Sequence, residues 1–201
     1  SLYDALRRKH AAERITLTQQ FQWLGETANG MAYLHDQGLM HRDLKSPNVL
    51  LDDVNRAKLC DFGLARMVGD VQRTMTGGVG SVLWMAPEVM TDAIYDYSAD
   101  VYAWGILAWE IMSPEVDLFP GKSVLEVSRA VIQGKRPPLH PSWPVGVCEV
   151  MVMCWGGVAE ERPTFGEVVG RLEPIVGVRG DVTRNSVAEK GDDLRQPLLL
   201  N

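Results

Sequence analysis

One segment, residues 98–112, constrains the fold of this chain more than any other, because its apolar side chains point in every direction around a helix. These apolar residues are Val101, Tyr102, Trp104, Ile106, Leu107, Trp109, Ile111 and Met112. A helix that is apolar on all sides has to be surrounded by other elements. Ser98 is a favoured capping residue and predicts where the helix begins. We therefore expect this helix to be the hydrophobic axis of a domain.

Length and composition allow one such domain. The chain has 201 residues, of which 46% are hydrophobic, enough for one well-buried core and short for two. A net charge of −6 leaves no basic surface that would indicate nucleic acid as a partner. The three cysteines lack metal-ligand spacing and indicate buried thiols in a reduced, cytoplasmic protein, the alternative for Cys60 being a more exposed thiol. No apolar run approaches the roughly 18 residues that a membrane-spanning helix needs, so no membrane segment is expected.

Capping residues predict further helices on both sides of the axis. A Ser or Thr followed three residues later by an acid or amide occurs at Ser1 with Asp4, Thr16 with Gln19, Ser123 with Glu126, and Thr164 with Glu167. After Thr16, apolar residues recur at helical spacing until Gly38, and another helix is expected around residues 148–155. Beyond Gly177 this periodicity fades. We expect residues 1–177 to fold and residues 178–201 to form a disordered tail.

A cluster of polar and charged side chains, residues 41–48, follows the helix that ends at Gly38. Its sequence is His-Arg-Asp-Leu-Lys-Ser-Pro-Asn, with apolar residues on both sides. The pattern predicts a loop that is held at both ends and can therefore aim its side chains. The alternative is a solvated turn closed by Pro47, which would be usual for a lone Arg–Asp pair.

The residues after this loop predict a β-hairpin. Apolar strands at 49–51 and 57–60 are separated by a polar turn. The outer ends of such a hairpin carry Asn48 and Asp61 together. An amide oxygen and a carboxylate form a hard-oxygen site that suits Mg²⁺ and leaves room for substrate phosphates. We therefore expect Asn48 and Asp61 to be metal ligands, which leaves Asp43 for another role.

Three motifs in this order resemble those of protein kinases. Residues 41–48 are similar to the kinase catalytic loop, residues 61–63 (Asp-Phe-Gly) to the metal-binding motif, and residues 86–88 (Ala-Pro-Glu) to the end of the activation segment. The resemblance covers roughly residues 1–175 and implies the helical C-terminal lobe, mainly α with a small β-hairpin at the active site. The N-terminal lobe, with its Gly-rich loop and strand lysine, is absent from this sequence.

The resemblance also implies roles for single residues, with ATP and Mg²⁺ as cofactors. Asp43 would accept the proton of the substrate hydroxyl. Lys45 would offset charge on the transferred phosphoryl group and contact ATP. Asn48 and Asp61 would hold Mg²⁺ against the ATP phosphates, and Leu50 would contact the nucleotide.

Three more residues gain a role from the same resemblance. Asp100 would hold the backbone of the catalytic loop, although an acid there also favours the helix N-terminus. Arg162 would form a buried ion pair with Glu88, the alternative being an exposed surface arginine. Ser81 stands where many kinases have Thr, in the platform for the residue next to the phosphoacceptor, with its hydroxyl against Asp43 and Lys45.

The segment from 61 to 88 has 28 residues and five glycines, too long and irregular for an ordinary connection. It predicts a lid or switch. A phosphate added to Thr74 or Thr76 by an upstream activating kinase would dock on Arg42 and order the segment. The alternative is that both threonines are ordinary polar loop residues.

The residues that indicate whether the acceptor is Ser/Thr or Tyr resemble both kinds of kinase. Lys45 resembles serine/threonine-specific kinases, whereas Trp84 with Met85 and the stretch 154–163 resemble the tyrosine kinase side. The mixture is similar to the tyrosine-kinase-like group, near Raf-like and mixed-lineage kinases. We expect an ATP-dependent kinase acting on Ser/Thr hydroxyls of a protein substrate, represented here by a fragment. The rival hypothesis is a non-catalytic kinase-like binding or scaffold module, which the absent lobe favours.

Overall fold

The computed structural model describes residues 1–8, 10–61, 66–67, 79–91 and 96–177. Within them the chain is mainly helical, as expected, with two small antiparallel sheets. The helices are α1 (Leu2–Arg7), α2 (Ala11–Arg14), α3 (Leu17–Asp36), α4 (Pro87–Thr91), α5 (Tyr97–Met112), α6 (Val124–Ile132), α7 (Val145–Cys154) and α8 (Phe165–Val176). The strands are β1 (Leu39–Met40), β2 (Val49–Leu51), β3 (Ala57–Leu59) and β4 (Arg66–Met67).

Helix α5 is the hydrophobic axis of the fold, which confirms the expectation from its sequence. Every residue from 99 to 112 is buried, and the helix packs against α3, α7 and the 3₁₀ turn Val79–Trp84. The predicted cap, however, was wrong. Asp96 caps the helix and accepts a hydrogen bond from the Ser98 backbone N–H at 2.8 Å, so the helix begins two residues earlier than expected. Asp and Ser cap helices about equally well, so preference alone could not choose between them.

Capping residues delimit three other helices as predicted. The side chains of Ser1, Ser123 and Thr164 each accept a hydrogen bond from the backbone N–H three residues on, and the carboxylate at that position accepts one from the backbone nitrogen of the cap residue. The box at Thr16 is only half formed. Thr16 accepts from the Gln19 N–H at 3.2 Å, but the Gln19 side-chain amide donates to other residues.

Helix α3 delivers the chain to the polar loop. It packs against α5 and α8, and it ends just before Gly38, whose φ of 76° is a left-handed conformation that glycine adopts without strain. The chain then enters β1, which pairs antiparallel with β4, with Leu39 opposite Met67. Residues 41–48 follow directly, so the loop starts from a strand that is already paired.

The hairpin after the loop forms as predicted. β2 pairs antiparallel with β3, with Val49 opposite Leu59, and the connecting turn is closed by hydrogen bonds to the Asp52 carboxylate. The second strand ends at Leu59, but the Cys60 N–H still donates to the Asn48 carbonyl oxygen at 3.0 Å. The pairing therefore reaches the outer end of the hairpin, where the polar loop begins.

Two expectations drawn from composition can be compared with the structure. Cys154 is buried, and burial raises the pKa of its thiol, but Cys60 and Cys148 are only half-buried. The expectation that all three thiols are buried was therefore wrong for two of them.

Among the described residues, none of the helices combines the length and apolar character needed to cross a membrane.

Candidate active site

Asp43 lies at the centre of a hydrogen-bond network built by the loop 41–48. Lys45 Nζ donates to Asp43 Oδ2 at 2.6 Å, and Asn48 Nδ2 donates to the same oxygen at 3.0 Å and to the Asp43 carbonyl at 2.8 Å. The side chains of Asp43 and Lys45 are 12% and 19% exposed. Two donors on Oδ2 hold the carboxylate in one orientation, while Oδ1 accepts no hydrogen bond from the described residues. Oδ1 is therefore the atom that can meet an incoming hydroxyl.

Ser81 extends this network to the activation segment. Its buried hydroxyl accepts from Lys45 Nζ at 2.8 Å, so one ammonium group joins Ser81 and Asp43. The hydroxyl thus takes the position that the kinase resemblance implies, without the methyl group of a threonine. Thr74 and Thr76 lie outside the described residues, as do residues 62 and 63 of the Asp-Phe-Gly motif.

Asp100 fixes the loop to the buried helix α5. Its carboxylate, which is fully buried, accepts the backbone N–H of His41 at 2.7 Å and of Arg42 at 2.9 Å. His35 Nε2 lies 3.1 Å from the same carboxylate. Arg42 has a φ of 70°, in the left-handed region that non-glycine residues rarely adopt. The Asp100 contacts therefore hold a strained backbone next to Asp43, as the resemblance implied.

Asn48 and Asp61 flank the paired end of the hairpin. The Cys60 N–H donates to the Asn48 carbonyl oxygen, and Cys60 immediately precedes Asp61, so the two predicted ligands flank the same end of the hairpin, just outside its strands. Asp61 is exposed and has a φ of 63°, whereas Asn48 is buried. Because the Asn48 amide nitrogen donates to Asp43, its amide oxygen is the atom that can face a cation. The described residues contain no cluster of three or more His, Cys, Asp and Glu side chains suited to a metal ion.

Leu50 presents apolar surface beside the polar loop. Its side chain is 47% exposed, while that of its neighbour Val49 is fully buried, as expected for alternate residues of a strand with one covered face. An exposed leucine next to polar groups offers a surface on which a flat apolar ring can lie.

A second buried carboxylate, Glu110 of α5, was missed by the sequence reasoning. Trp84 Nε1 donates to Glu110 Oε2 at 2.6 Å, and Arg7 Nη2 lies 3.5 Å from Oε1. Burial raises the pKa of Glu110 to about 7, against the opposing effects of Trp84, Ser46 and the Arg7 charge. The available signal was an acid among the apolar residues 101–112, because a buried carboxylate requires partners. Glu110 connects α1 and the activation segment to the core.

Arg162 and Glu88 form the predicted ion pair. Arg162 Nη1 and Nη2 donate to the two Glu88 carboxylate oxygens at 2.6 and 2.9 Å. Arg162 also donates to the carbonyls of Ser98 and Gly156, each at 3.0 Å, and its guanidinium lies 5.1 Å from the centre of the Tyr102 ring. The Arg162 side chain is 0% exposed but that of Glu88 is 28% exposed, so the expectation of a buried pair holds for the arginine and was wrong for the acid. The pair ties the Ala-Pro-Glu motif to the core.

Comparison with known proteins identifies the family to which this arrangement belongs. The sequence model described as "Protein tyrosine and serine/threonine kinase" matches residues 1–172. A probable serine/threonine-protein kinase of Dictyostelium discoideum is 36% identical over 176 residues, which are 87% of this chain and 19% of that relative. Mitogen-activated protein kinase kinase kinase 7 of Homo sapiens is 36% identical over 174 residues, 84% of this chain and 28% of the relative. Ephrin type-A receptor 7 of Gallus gallus is 36% identical over 176 residues, 86% of this chain and 18% of the relative.

The chain spans less than a third of the length of these curated relatives. The family match nevertheless covers nearly the whole described part of the chain, and it contains the loop 41–48, the Glu88–Arg162 pair and Asp100. On this evidence the chain belongs to the protein tyrosine and serine/threonine kinase family.

Proposed function

We propose that this chain is part of a cytoplasmic, ATP-dependent protein kinase that transfers the γ-phosphoryl group of ATP to a Ser or Thr hydroxyl of a protein substrate. The observation that carries the proposal is the network in which Lys45 and Asn48 orient Asp43 while Ser81 shares the Lys45 ammonium. A solvated surface turn would not need a carboxylate held by two donors and a backbone anchored on a buried acid. Residues 1–177 are the C-terminal lobe in this proposal, and residues 178–201 are a tail.

Asp43 acts as the base. A substrate hydroxyl that reaches Oδ1 gives its proton to Asp43 as its oxygen forms a bond to the γ-phosphorus. The bond between that phosphorus and the bridging oxygen breaks, and ADP leaves with the electron pair. Lys45 and Asn48 keep the carboxylate pointed at the hydroxyl, so the base needs no rearrangement before each turnover.

Lys45 supports specificity for Ser/Thr acceptors. Its ammonium group is a compact charge between the base and the Ser81 hydroxyl, where it can also neutralise an oxygen of the transferred phosphoryl group. The Dictyostelium discoideum relative is named a probable serine/threonine-protein kinase. That name and the position of Lys45 together favour a Ser/Thr acceptor over Tyr.

Asn48 and Asp61 would hold Mg²⁺, which supplies positive charge against the ATP phosphates when it is bound. The donor set fits this ion, because an amide oxygen and a carboxylate are hard ligands and two such ligands leave positions for phosphate oxygens and water. Leu50 would contact the adenine ring through its exposed side chain. An upstream kinase that phosphorylates Thr74 or Thr76 would supply a phosphate for docking on Arg42, whose backbone is fixed beside Asp43.

The test uses the complete protein that contains this chain, with radiolabelled ATP and a basic protein as acceptor. Asp43→Asn removes the base and should lower turnover about 10²- to 10⁴-fold, while nucleotide binding persists. Asp53→Asn, in the exposed hairpin turn, is the matched control and should retain full activity. Unchanged turnover in Asp43→Asn would contradict the assigned base, and nucleotide binding without any transfer in the parent would favour the binding-module alternative. Label on Tyr instead of Ser or Thr would contradict the acceptor specificity.

A further inference from the structure

Helix α7 is apolar all round but is not fully covered. It carries one charged residue, Glu149, among ten, and such a helix is normally enclosed by other elements. Its buried side chains, which face α5 and α8, are Val147, Val150, Met151 and Cys154. In contrast, Val145 is 72% exposed and Val152 is 48% exposed. The described part of the chain therefore leaves apolar surface of α7 without a cover.

This surface forms one wall of a groove. The other walls are the C-terminal half of α8 and the connector at residues 139–143, and the volume of this open groove is about 930 Å³. That volume lies within the roughly 300–1,000 Å³ of natural ligand pockets. Trp143 and Ile175 add apolar surface, while Glu149 and Arg171 supply one charge of each sign. A groove of this composition suits an apolar segment flanked by charged residues.

The chain itself contains an apolar segment that follows charged residues. Helix α8 ends at Val176, next to the groove residues Pro174 and Ile175, and leads into residues 178–201. These residues include four cations and four acids, and their longest apolar run is Pro-Leu-Leu-Leu at residues 197–200. We infer that residues 197–200 dock in the groove between α7 and α8 and cover the exposed face of α7.

Chain length and charge are consistent with this docking. Residues 178–196 number 19, and a flexible linker of that length has a root-mean-square span of roughly 24 Å. The linker starts beside the groove, so its span is ample and the effective concentration of the segment is of the order of millimolar. Asp193 and Arg195, just before the apolar run, offer partners of opposite sign for Arg171 and Glu149. A contact too weak for a free peptide can therefore form within one chain.

Cys148 provides a native reporter of the groove, because it is a free, half-buried thiol among the lining residues. The experiment measures the rate of alkylation by iodoacetamide at each thiol of the 201-residue chain, by mass spectrometry. Replacing leucines 198, 199 and 200 together by serine should raise the alkylation rate of Cys148 about threefold. This factor is expected if the effective concentration of residues 197–200 is about twice the dissociation constant of their contact with the groove. Cys60, half-buried and outside the groove, should react at the same rate in both proteins.

A pair of matched valines separates docking in the groove from a general effect of the tail. Val152 lines the groove and is 48% exposed, whereas Val158 does not line it and is 50% exposed. Both tolerate a polar replacement because both already contact water. In a Val152→Glu background the triple serine change should no longer alter the Cys148 rate, and in a Val158→Glu background it should act as in the parent. The same response in both backgrounds would overturn the inference.

The remaining outcomes concern other occupants of the groove. Light scattering should find a monomer, and the Cys148 rate should be independent of protein concentration. Protection of Cys148 that increases with concentration would assign the groove to a second copy of the chain and overturn docking within one chain. Equal Cys148 rates in the parent and the triple serine variant would also overturn it. None of these readouts needs phosphoryl transfer, so the result does not depend on the proposed kinase activity.

Discussion

Replacement of Arg162 by alanine should destabilise the domain strongly. The side chain is 0% exposed and makes four hydrogen bonds, two to Glu88 and one each to the carbonyls of Ser98 and Gly156. Alanine removes every one of these donors and the contact with the Tyr102 ring. The Ala-Pro-Glu end of the activation segment then loses its charged attachment to the core.

The expected magnitude follows from these contacts. Removing one partner of a buried ion pair costs about 3–5 kcal/mol, because the other charge loses its compensation. Glu88 is 28% exposed, so water can solvate it in part. This partial solvation places the cost of Arg162→Ala in the lower half of that range. The two carbonyl oxygens left without their donor add to the loss. For a domain of this size the change corresponds to a melting point lower by about 6–20 °C.

Thermal melts and urea titrations of four variants and the parent test this prediction. Arg162→Lys keeps the charge but not the fork that binds both carboxylate oxygens, so its loss should be smaller than that of Arg162→Ala. Glu88→Ala leaves a buried guanidinium and should cost at least as much as Arg162→Ala. Arg129→Ala, at an exposed arginine of α6, is the control and should melt like the parent. A melting point of Arg162→Ala equal to that of Arg129→Ala would refute the reasoning.

Three further outcomes are expected. Burial raises the pKa of Glu110 from 4.5 to about 7. Between these two pH values the folded chain keeps a proton that the unfolded chain releases, so the free energy of unfolding falls as the pH rises from 4.5 to about 7. Relative to Glu110→Gln, the parent should lose about 3 kcal/mol between pH 4 and pH 8 in urea titrations, and parallel pH curves would contradict this. In the complete protein, Asp61→Asn should raise the Mg²⁺ concentration needed for half-maximal nucleotide binding while Asp43→Asn should not, and equal shifts would contradict the division of roles. The 201-residue chain contains no Gly-rich loop ahead of residues 41–48 and should transfer phosphate too slowly to detect with radiolabelled ATP; Asp43-dependent transfer by this chain would be the contrary result.

Local patterns were sufficient to predict much of the fold and the centre of the site. The axis helix α5 follows from apolar residues on every face, and the hairpin follows from two short apolar runs around a polar turn. The loop 41–48 could be recognised because its functional side chains are close together in sequence. Asp43, Lys45 and Asn48 meet within six positions, and the structure joins all three by hydrogen bonds.

Contacts between distant parts of the chain were harder to predict. The partners of Glu110, Trp84 and Arg7, are 26 and 103 positions away, and no local pattern indicates which donors will surround a buried acid. The exposure of single side chains was equally difficult to predict. An apolar helix such as α7 is expected to be covered, but the sequence does not show which element covers it. Cys148 is half-buried for this reason, although its surroundings in sequence are apolar.

The attachment of residues 41–48 to Asp100 has a consequence for hydrogen exchange. Local opening of this loop would leave a fully buried carboxylate without the two backbone N–H groups that donate hydrogen bonds to it, which costs far more than opening an ordinary surface loop. The amide protons of His41 and Arg42 should therefore exchange with solvent at the rate of the α5 core, through global unfolding. Heat would then remove the orientation of Asp43 and the folded core in a single cooperative transition, without an intermediate in which only the loop is lost.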